Sequence, residues 1–382
     1  MSLSPVLYLV SAAHFFNDIY MGFLTPLFPI VMERFGLSLP LIGTISMIAA
    51  LASALSQPVF GTIFDRYGIA SSVYLAPLVT GILISCLGVA GSFPLFLVLL
   101  FLGCLGSAAF HPKGASVTPS LSGRHPEIGM AVFSAGGNLG FAAGPAVIAF
   151  FVAVWGLGAT PVLALPAAAV ALVLFLLLPT REIERKTKNE SRVTWRALLE
   201  DRAELAVLIR LVFINFTLQT AVRGLQTFLP VYMAGLKVPV TVIGVTFTVM
   251  LALGAVISIF VSSLSRRAGR RALILSSATA SVPLSVAGFL LMPSIWGSVL
   301  AVLGGMVLTF SNPLLILSAQ KHSRGSPAMA SSLIMGISWG LAGLLMVPLG
   351  ALGELIGIKA TLAAGSLLPL AAVLACLRLP RE

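Results

Sequence analysis

Charge is scarce in this chain. Aspartate, glutamate, lysine and arginine make up 9% of the 382 residues, against about 25% in a soluble domain. Cysteine is scarcer. Cys86, Cys104 and Cys376 stand singly in apolar stretches, which excludes a disulfide framework and any Cys-x-x-Cys site. No Gly-x-x-x-x-Gly-Lys-Ser/Thr loop occurs, so no phosphate cradle for ATP is encoded. The four histidines, His14, His111, His125 and His322, are scattered and form no His-x-x-His pair, so neither a metal nor a cofactor is expected. No nucleophile stands with a base at helical spacing, so catalysis is not expected either. The N-terminal residues lack the basic region and small-residue cleavage site of a secretory peptide, so the first apolar block is expected to be retained.

What fills the chain is apolar side chain, 58% of all residues. It comes in blocks of about 20 or more, the length a helix needs to cross ~30 Å of hydrocarbon. Lipid offers backbone groups no partners, so the blocks are read as spanning helices. Cutting at polar joints predicts spans over 5–31, 40–64, 70–91, 94–119, 128–154, 158–179, 205–231, 241–264, 271–291, 295–318, 326–350 and 357–378. The expected fold is an all-α membrane protein of twelve transmembrane helices. Residues 181–204 mix charges around Trp195, Leu198 and Leu199, and read as a cytoplasmic linker with an interfacial helix.

The net charge of +11 is not a nucleic-acid footprint. Most of the 23 Lys and Arg fall in loops on one side, while Arg34, Lys237 and Lys359 fall on the other and Lys113 and Arg223 lie inside spans. That asymmetry places both termini in the cytoplasm. Expected partners are lipid, protons and a small solute. No nucleic acid is expected, and the chain is expected to be a monomer.

One repeat offset, 201, recurs without a gap. It pairs Pro29 with Pro230, Met32 with Met233, Ile42 and Gly43 with Ile243 and Gly244, Arg66 with Arg267, Gly68 with Gly269, Gly103 with Gly304, and Pro112 with Pro313. The offset holds six spans, an even number, so the halves share one orientation and are related by an axis along the membrane normal. Two pseudo-symmetric six-helix bundles follow, residues 1–180 and 205–382, with the solute site expected in a central cavity between them.

An ionised side chain at mid-bilayer costs about 2.5–3.5 kcal/mol on insertion scales, so Asp18 in the first span calls for a reason. His14 stands one turn before it, Asn17 beside it and Thr25 two turns later, forming one polar stripe. Two readings stand: Asp18 and His14 couple transport to protons, or they hydrogen-bond to neighbouring helices and fix packing. In the seventh span Asn215, Gln219, Arg223 and Gln226 share a face. Arg223 presents a planar fork suited to carboxylate or phosphonate oxygens; its other reading is a pairing with Asp18. In the fourth span Ser107, His111 and Thr118 share a face and Lys113 is turned away by about 200°. His111, with its repeat partner Asn312, is expected at the solute, and Lys113 is expected to snorkel to the cytoplasmic headgroups. Asn138 adds a polar group on the fifth span, for solute or for helix packing.

Gly61-Thr-Ile-Phe-Asp65-Arg66-Tyr-Gly68 after the second span, and Ser262 through Arg266, Arg267, Gly269 and Arg271 after the eighth, resemble the loop signature of the major facilitator superfamily. The resemblance implies a cytoplasmic gate latch. Ile69 and Ala70 depart from it where basic residues are usual, and Arg266 stands where the acid belongs. Gly140-Phe-Ala-Ala-Gly144-Pro145 partly matches a motif of antiporters. A closer likeness runs through His14-Phe-Phe-Asn17-Asp18, Gln57-Pro58, Phe110-His111-Pro112, Gly123-Arg124-His125 and Gly136-Gly137-Asn138. Together these resemble the fosmidomycin resistance branch, which implies a proton-driven exporter of the bacterial inner membrane able to expel a phosphonate drug. Lys113 departs from that branch, where an acid is common after His-Pro. The expected function is proton-coupled antiport of a small anionic solute by alternating access. The alternative is an importer of a carboxylate, sugar or other nutrient.

Overall fold

The computed structural model describes residues 4–67, 69–123, 125–178, 180, 202–322 and 333–379. Among these, twelve helices are long and apolar enough to cross a membrane. In chain order they are α1 (Pro5–Phe35), α2 (Leu39–Phe64), α3 (Ser72–Val89), α4 (Phe93–Leu121), α5 (Ile128–Trp155) and α6 (Leu157–Leu177). The second six are α7 (Glu204–Gly235), α8 (Val240–Ser265), α9 (Arg270–Leu291), α10 (Ile295–Lys321), α11 (Ile334–Ile356) and α12 (Ile358–Cys376). The count agrees with the sequence reading and most ends fall within a few residues of it. The exception is α11, which runs on to Ile356 and stops at Gly357, where φ is +86°. The expected interfacial helix lies outside the described residues.

Four of the twelve are broken, and each break has a proline just beyond it. A helical proline has no N–H to give the carbonyl four residues back. In α1 the helix ends at Gly22 and resumes at Leu24, with Pro26 unable to serve the Gly22 carbonyl. In α10 the break is at Phe310 and the proline is Pro313; in α11 it is at Leu345 and the proline is Pro348. In α12, Gly365 ends one piece and Pro369 opens the next. Pro58, Pro112, Pro145 and Pro230 ride inside unbroken helices. A missing bond therefore permits a break without dictating one.

Helix ends are held by charge placed to suit the helix dipole. Arg270 donates to the Leu317 carbonyl at 3.2 Å and Arg271 to that of Leu377 at 2.8 Å, both near helix C-termini. Lys359 donates to the Met292 carbonyl at 2.9 Å beyond the end of α9. At the opposite pole, the Glu354 carboxylate accepts from the Leu39 N–H that opens α2, at 3.1 Å. Between the helix ending at Ala268 and the one starting at Arg270, Gly269 alone makes the turn with φ +78°, a conformation costly for any side-chain-bearing residue.

By contacts the chain forms two compact units. One holds residues 1–27, 55–191 and 240–248; the other holds 28–54, 192–239 and 249–382. Within the first, α1 packs along α5, and α3 lies against α4 and α6. The α1–α5 seam is a backbone contact. A Cβ at Gly136, Gly140 or Gly144 would overlap the carbonyl oxygens of Ser11, Phe15 and Ile19 in turn, so only glycine allows this approach. Apolar packing around Leu7, Val10, Phe110, Phe133 and Leu174 completes that core. In the second unit α9 packs on α10 and α7 on α11 and α12, around Leu211, Ile214, Ile274, Leu314 and Ala372.

The 201-residue offset reappears in the contacts. Within the second unit, Gly43 of α2 abuts the Met346 carbonyl of α11, and within the first, Gly244 of α8 abuts the Pro145 carbonyl of α5. Gly43 and Gly244 are 201 residues apart, and so are Pro145 and Met346. The repeat is thus a repeat of packing as well as of letters.

Candidate functional site

The polar stripe of α1 lies within the first unit. His14 and Asp18 are one turn apart, so both side chains leave the same face. His14 Nε2 lies 3.2 Å from Asp18 Oδ2. From α4, His111 Nε2 lies 3.3 Å from Asp18 Oδ1. Asn17 supports the carboxylate from the side, its Nδ2 donating to Asp18 Oδ1 at 2.8 Å and to Ser107 Oγ at 3.0 Å. The carboxylate is therefore held between two imidazoles and an amide. Side-chain exposure rises from 9% at His14 through 16% at Asp18 to 30% at His111, so the cluster opens on the His111 side.

Each imidazole is anchored at its far nitrogen. His14 Nδ1 stands 2.8 Å from the Phe133 carbonyl of α5, and His111 Nδ1 stands 2.7 Å from the Ser107 carbonyl one turn back on α4. A carbonyl only accepts, so both Nδ1 atoms carry hydrogen. Each Nε2 then faces a carboxylate oxygen either with a lone pair or with a further proton. Placing zero, one or two protons on these contacts gives the cluster a charge of −1, 0 or +1. His14 is also fixed by stacking on Phe133, with ring centroids 4.1 Å apart, and Gly137 leaves the room its ring occupies, since a Cβ there would overlap it.

From the sequence, His111 is expected at the solute and the four histidines are scattered. The structure corrects the second point: His14, Asp18 and His111 bring their donor atoms within 4.8 Å of one another. Their spacing along the chain hides this, because α1 and α4 meet only through folding. Phe133 and Gly137 were not singled out for this role; the Gly136-Gly137 pair in a spanning helix was the available signal. Lys113 is a second correction. It is 1% exposed and among the largest fully buried side chains, so it does not snorkel to a headgroup layer. A side chain turned 200° from His111 points back among the helices of its own unit.

In the second unit the α7 face divides. Asn215 is buried, and its Nδ2 donates to the Ile334 carbonyl of α11 at 2.8 Å, tying the two helices together. Gln219, Arg223 and Gln226 are half-buried along the same helix. Asn312, just past the α10 break, is half-buried with its Oδ1 enclosed and without a hydrogen-bond partner among the described residues. Asn138 is exposed on α5. Of the gate residues, Gly61 lies beside Pro112, Arg66 and Arg267 are exposed, and Gly269 makes the turn described above. The first motif is helical through Tyr67, so it is a helix end more than a loop. Gly68 and the side chains of Asp65 and Arg266 lie outside the description.

The geometry can be set beside known proteins. The chain is 27% identical over 373 residues to the fosmidomycin resistance protein of Escherichia coli strain K12, covering 96% of this chain and 90% of that one. It is 27% identical over 391 residues to the uncharacterized MFS-type transporter YfnC of Bacillus subtilis strain 168, covering 98% and 92%. In fold it matches the crystal structure of the nucleoside transporter NupG at a TM-score of 0.74 and 16% identity, over 99% of this chain and 98% of that one. A POT family transporter in complex with 5-aminolevulinic acid matches at 0.75 and 14% identity, over 98% and 95%. Residues 10–347 fit the model of one family throughout, and this chain, a multi-pass membrane transporter of a small solute, belongs to the Major Facilitator Superfamily.

Proposed function

We propose that the protein is a proton-coupled antiporter that exports a small anionic organic solute of the phosphonate class by alternating access. The observation that carries the coupling is the Asp18 carboxylate held between two imidazoles whose far nitrogens are already committed to carbonyls. Such a cluster takes up or releases a proton without rearranging its anchors. His14 and Asp18 carry the coupling proton, and His111 joins them, because its Nε2 addresses the same carboxylate.

The anionic preference is supported by Arg223, by the confinement of the Asp18 carboxylate between two imidazoles and an amide, and by the likeness to a fosmidomycin resistance protein. Arg223 supplies the fork for the anion, with Gln219, Gln226 and Asn312 offering neutral contacts and Asn17 and Asn215 holding the framework. Asn138, exposed on α5, completes the proposed solute set. Gly61, Asp65, Arg66, Gly68, Arg266, Arg267 and Gly269 form the cytoplasmic latch. The protein resides in the inner membrane with both termini in the cytoplasm, as the basic loops favour. One charge moved across 100 mV supplies about 2.3 kcal/mol, enough for a useful solute gradient.

Proteoliposomes loaded with fosmidomycin provide the test. An imposed proton gradient accelerates efflux from the parent protein, a protonophore abolishes the acceleration, and Asp18→Asn lacks it. Equal gradient-driven efflux by Asp18→Asn would falsify the coupling. Uphill uptake of a carboxylate or sugar, with phosphonates inert, would replace the export reading by import.

A further inference from the structure

The same three side chains meet a second requirement. We propose that His14, Asp18 and His111 form a binding site for a transition-metal dication, with Zn2+ as the best fit. The inference rests on the positions of these side chains and holds whether or not the carboxylate also carries coupling protons.

Three arguments support it. The first is donor geometry. Zinc sits about 2.0–2.1 Å from imidazole nitrogen and about 2.0–2.2 Å from carboxylate oxygen, so neighbouring ligands of a tetrahedral ion stand about 3.4 Å apart. His14 Nε2 stands 3.2 Å from Oδ2 and His111 Nε2 3.3 Å from Oδ1, so each imidazole has ligand spacing to one oxygen of the same carboxylate; one donor from each residue lies within 4.8 Å of the other two, and a shared ion draws them closer.

The second is the outer shell. A metal-binding histidine almost always donates its other ring N–H to a carboxylate or backbone carbonyl, which fixes the tautomer and aims the free lone pair. Both imidazoles do this, His14 to the Phe133 carbonyl and His111 to the Ser107 carbonyl. Stacking on Phe133 and the space left by Gly137 lock the His14 ring in that pose. Asn17 holds the carboxylate in turn, as ligating carboxylates are held. When neither Nε2 carries a proton, two lone pairs face the carboxylate, and a dication supplies the positive charge that their mutual repulsion calls for.

The third is selectivity and access. Two imidazoles and one carboxylate suit Zn2+, Co2+ and Ni2+, whereas Mg2+ and Ca2+ ask for six or more oxygens. Three protein ligands leave a coordination position open, and the cluster is most exposed at His111. A dication here ties α1 to α4 through the carboxylate of one and the imidazole of the other.

Calorimetric titration of the purified, tag-free protein with Zn2+, without solute or proton gradient, tests the site separately from transport. One ion per chain is expected, and Co2+ in its place is expected to give the intense visible bands of a four-coordinate ion. Affinity should fall tenfold or more in Asp18→Asn, His111→Gln and His14→Asn; the last retains an amide able to reach the Phe133 carbonyl and so guards against loss of the fold. His322→Gln and excess Mg2+ should leave Zn2+ binding unchanged. No binding by the parent protein overturns the proposal. So does binding that survives all three substitutions in folded protein.

Discussion

His14 and Asn215 make the same hydrogen bond in the two units. His14 Nδ1 donates to the Phe133 carbonyl and Asn215 Nδ2 to the Ile334 carbonyl, each at 2.8 Å and each across 119 residues. The two donors are repeat partners under the 201-residue offset, and so are the two acceptors. What differs is the remaining end of the side chain: the imidazole has a second nitrogen to present to Asp18, whereas the amide has only its Oδ1 acceptor, enclosed without a hydrogen-bond partner among the described residues.

That relationship makes His14→Asn an informative substitution. It keeps a donor for the Phe133 carbonyl and removes the Nε2 contact, so stability is expected within about 1 kcal/mol of the parent, while His14→Ala strands a buried carbonyl and costs about 1–3 kcal/mol. Gradient-driven transport is expected to be lost in both. Denaturation in detergent and vesicle transport, measured side by side, separate the two effects.

Two glycines about one turn apart on α5, Gly137 and Gly140, are expected to fail in different ways. A methyl at Gly137 meets the His14 ring, whereas one at Gly140 meets the Phe15 backbone carbonyl, which cannot turn aside. Gly140→Ala should destabilise by about 1–3 kcal/mol. Gly137→Ala should retain more of the fold and lose coupling. Thermal unfolding that ranks them in reverse order would contradict the backbone seam.

Matched behaviour is expected of Gly43→Ala and Gly244→Ala. Each places a Cβ against a carbonyl oxygen of the helix it packs on, Met346 in one unit and Pro145 in the other. Both should lower transport and stability to a similar degree, about 1–3 kcal/mol. A large effect from one and none from the other would show that the repeat has ceased to be a repeat of packing.

Burial of Lys113 is open to labelling. In a background without Cys86, Cys104 and Cys376, a cysteine replacing Lys113 should resist a water-soluble maleimide, and one replacing the exposed Ser120 on the same helix should react. Rapid reaction at 113 would restore the headgroup reading.

The spanning helices, their number and their repeat were legible in the sequence because each is written locally: apolar run length sets a span, and a fixed offset needs only one strand of letters. The α1 stripe was legible for the same reason, since 14 and 18 share a face on any helix. The partnership of His14 with His111 was not, because it depends on how α1 and α4 meet. Lys113 was misread because its length allowed it to reach a headgroup layer, and only packing reveals that it does not. The breaks in α1, α10, α11 and α12 lie where a proline deprives a carbonyl, but the unbroken helices around Pro58 and Pro145 show why the letter alone does not predict them.

The glycine contacts between α1 and α5 carry a mechanical consequence. Three successive turns are keyed, carbonyl into hollow, so sliding one helix past the other by less than a full turn, about 5.4 Å, would drive oxygen into α-carbon. The pair therefore travels as a single spar. Whatever excursion the carrier makes, the anchor on Phe133 and the imidazole it holds are carried along in fixed register, and adjustment at the cluster falls to the α4 arm.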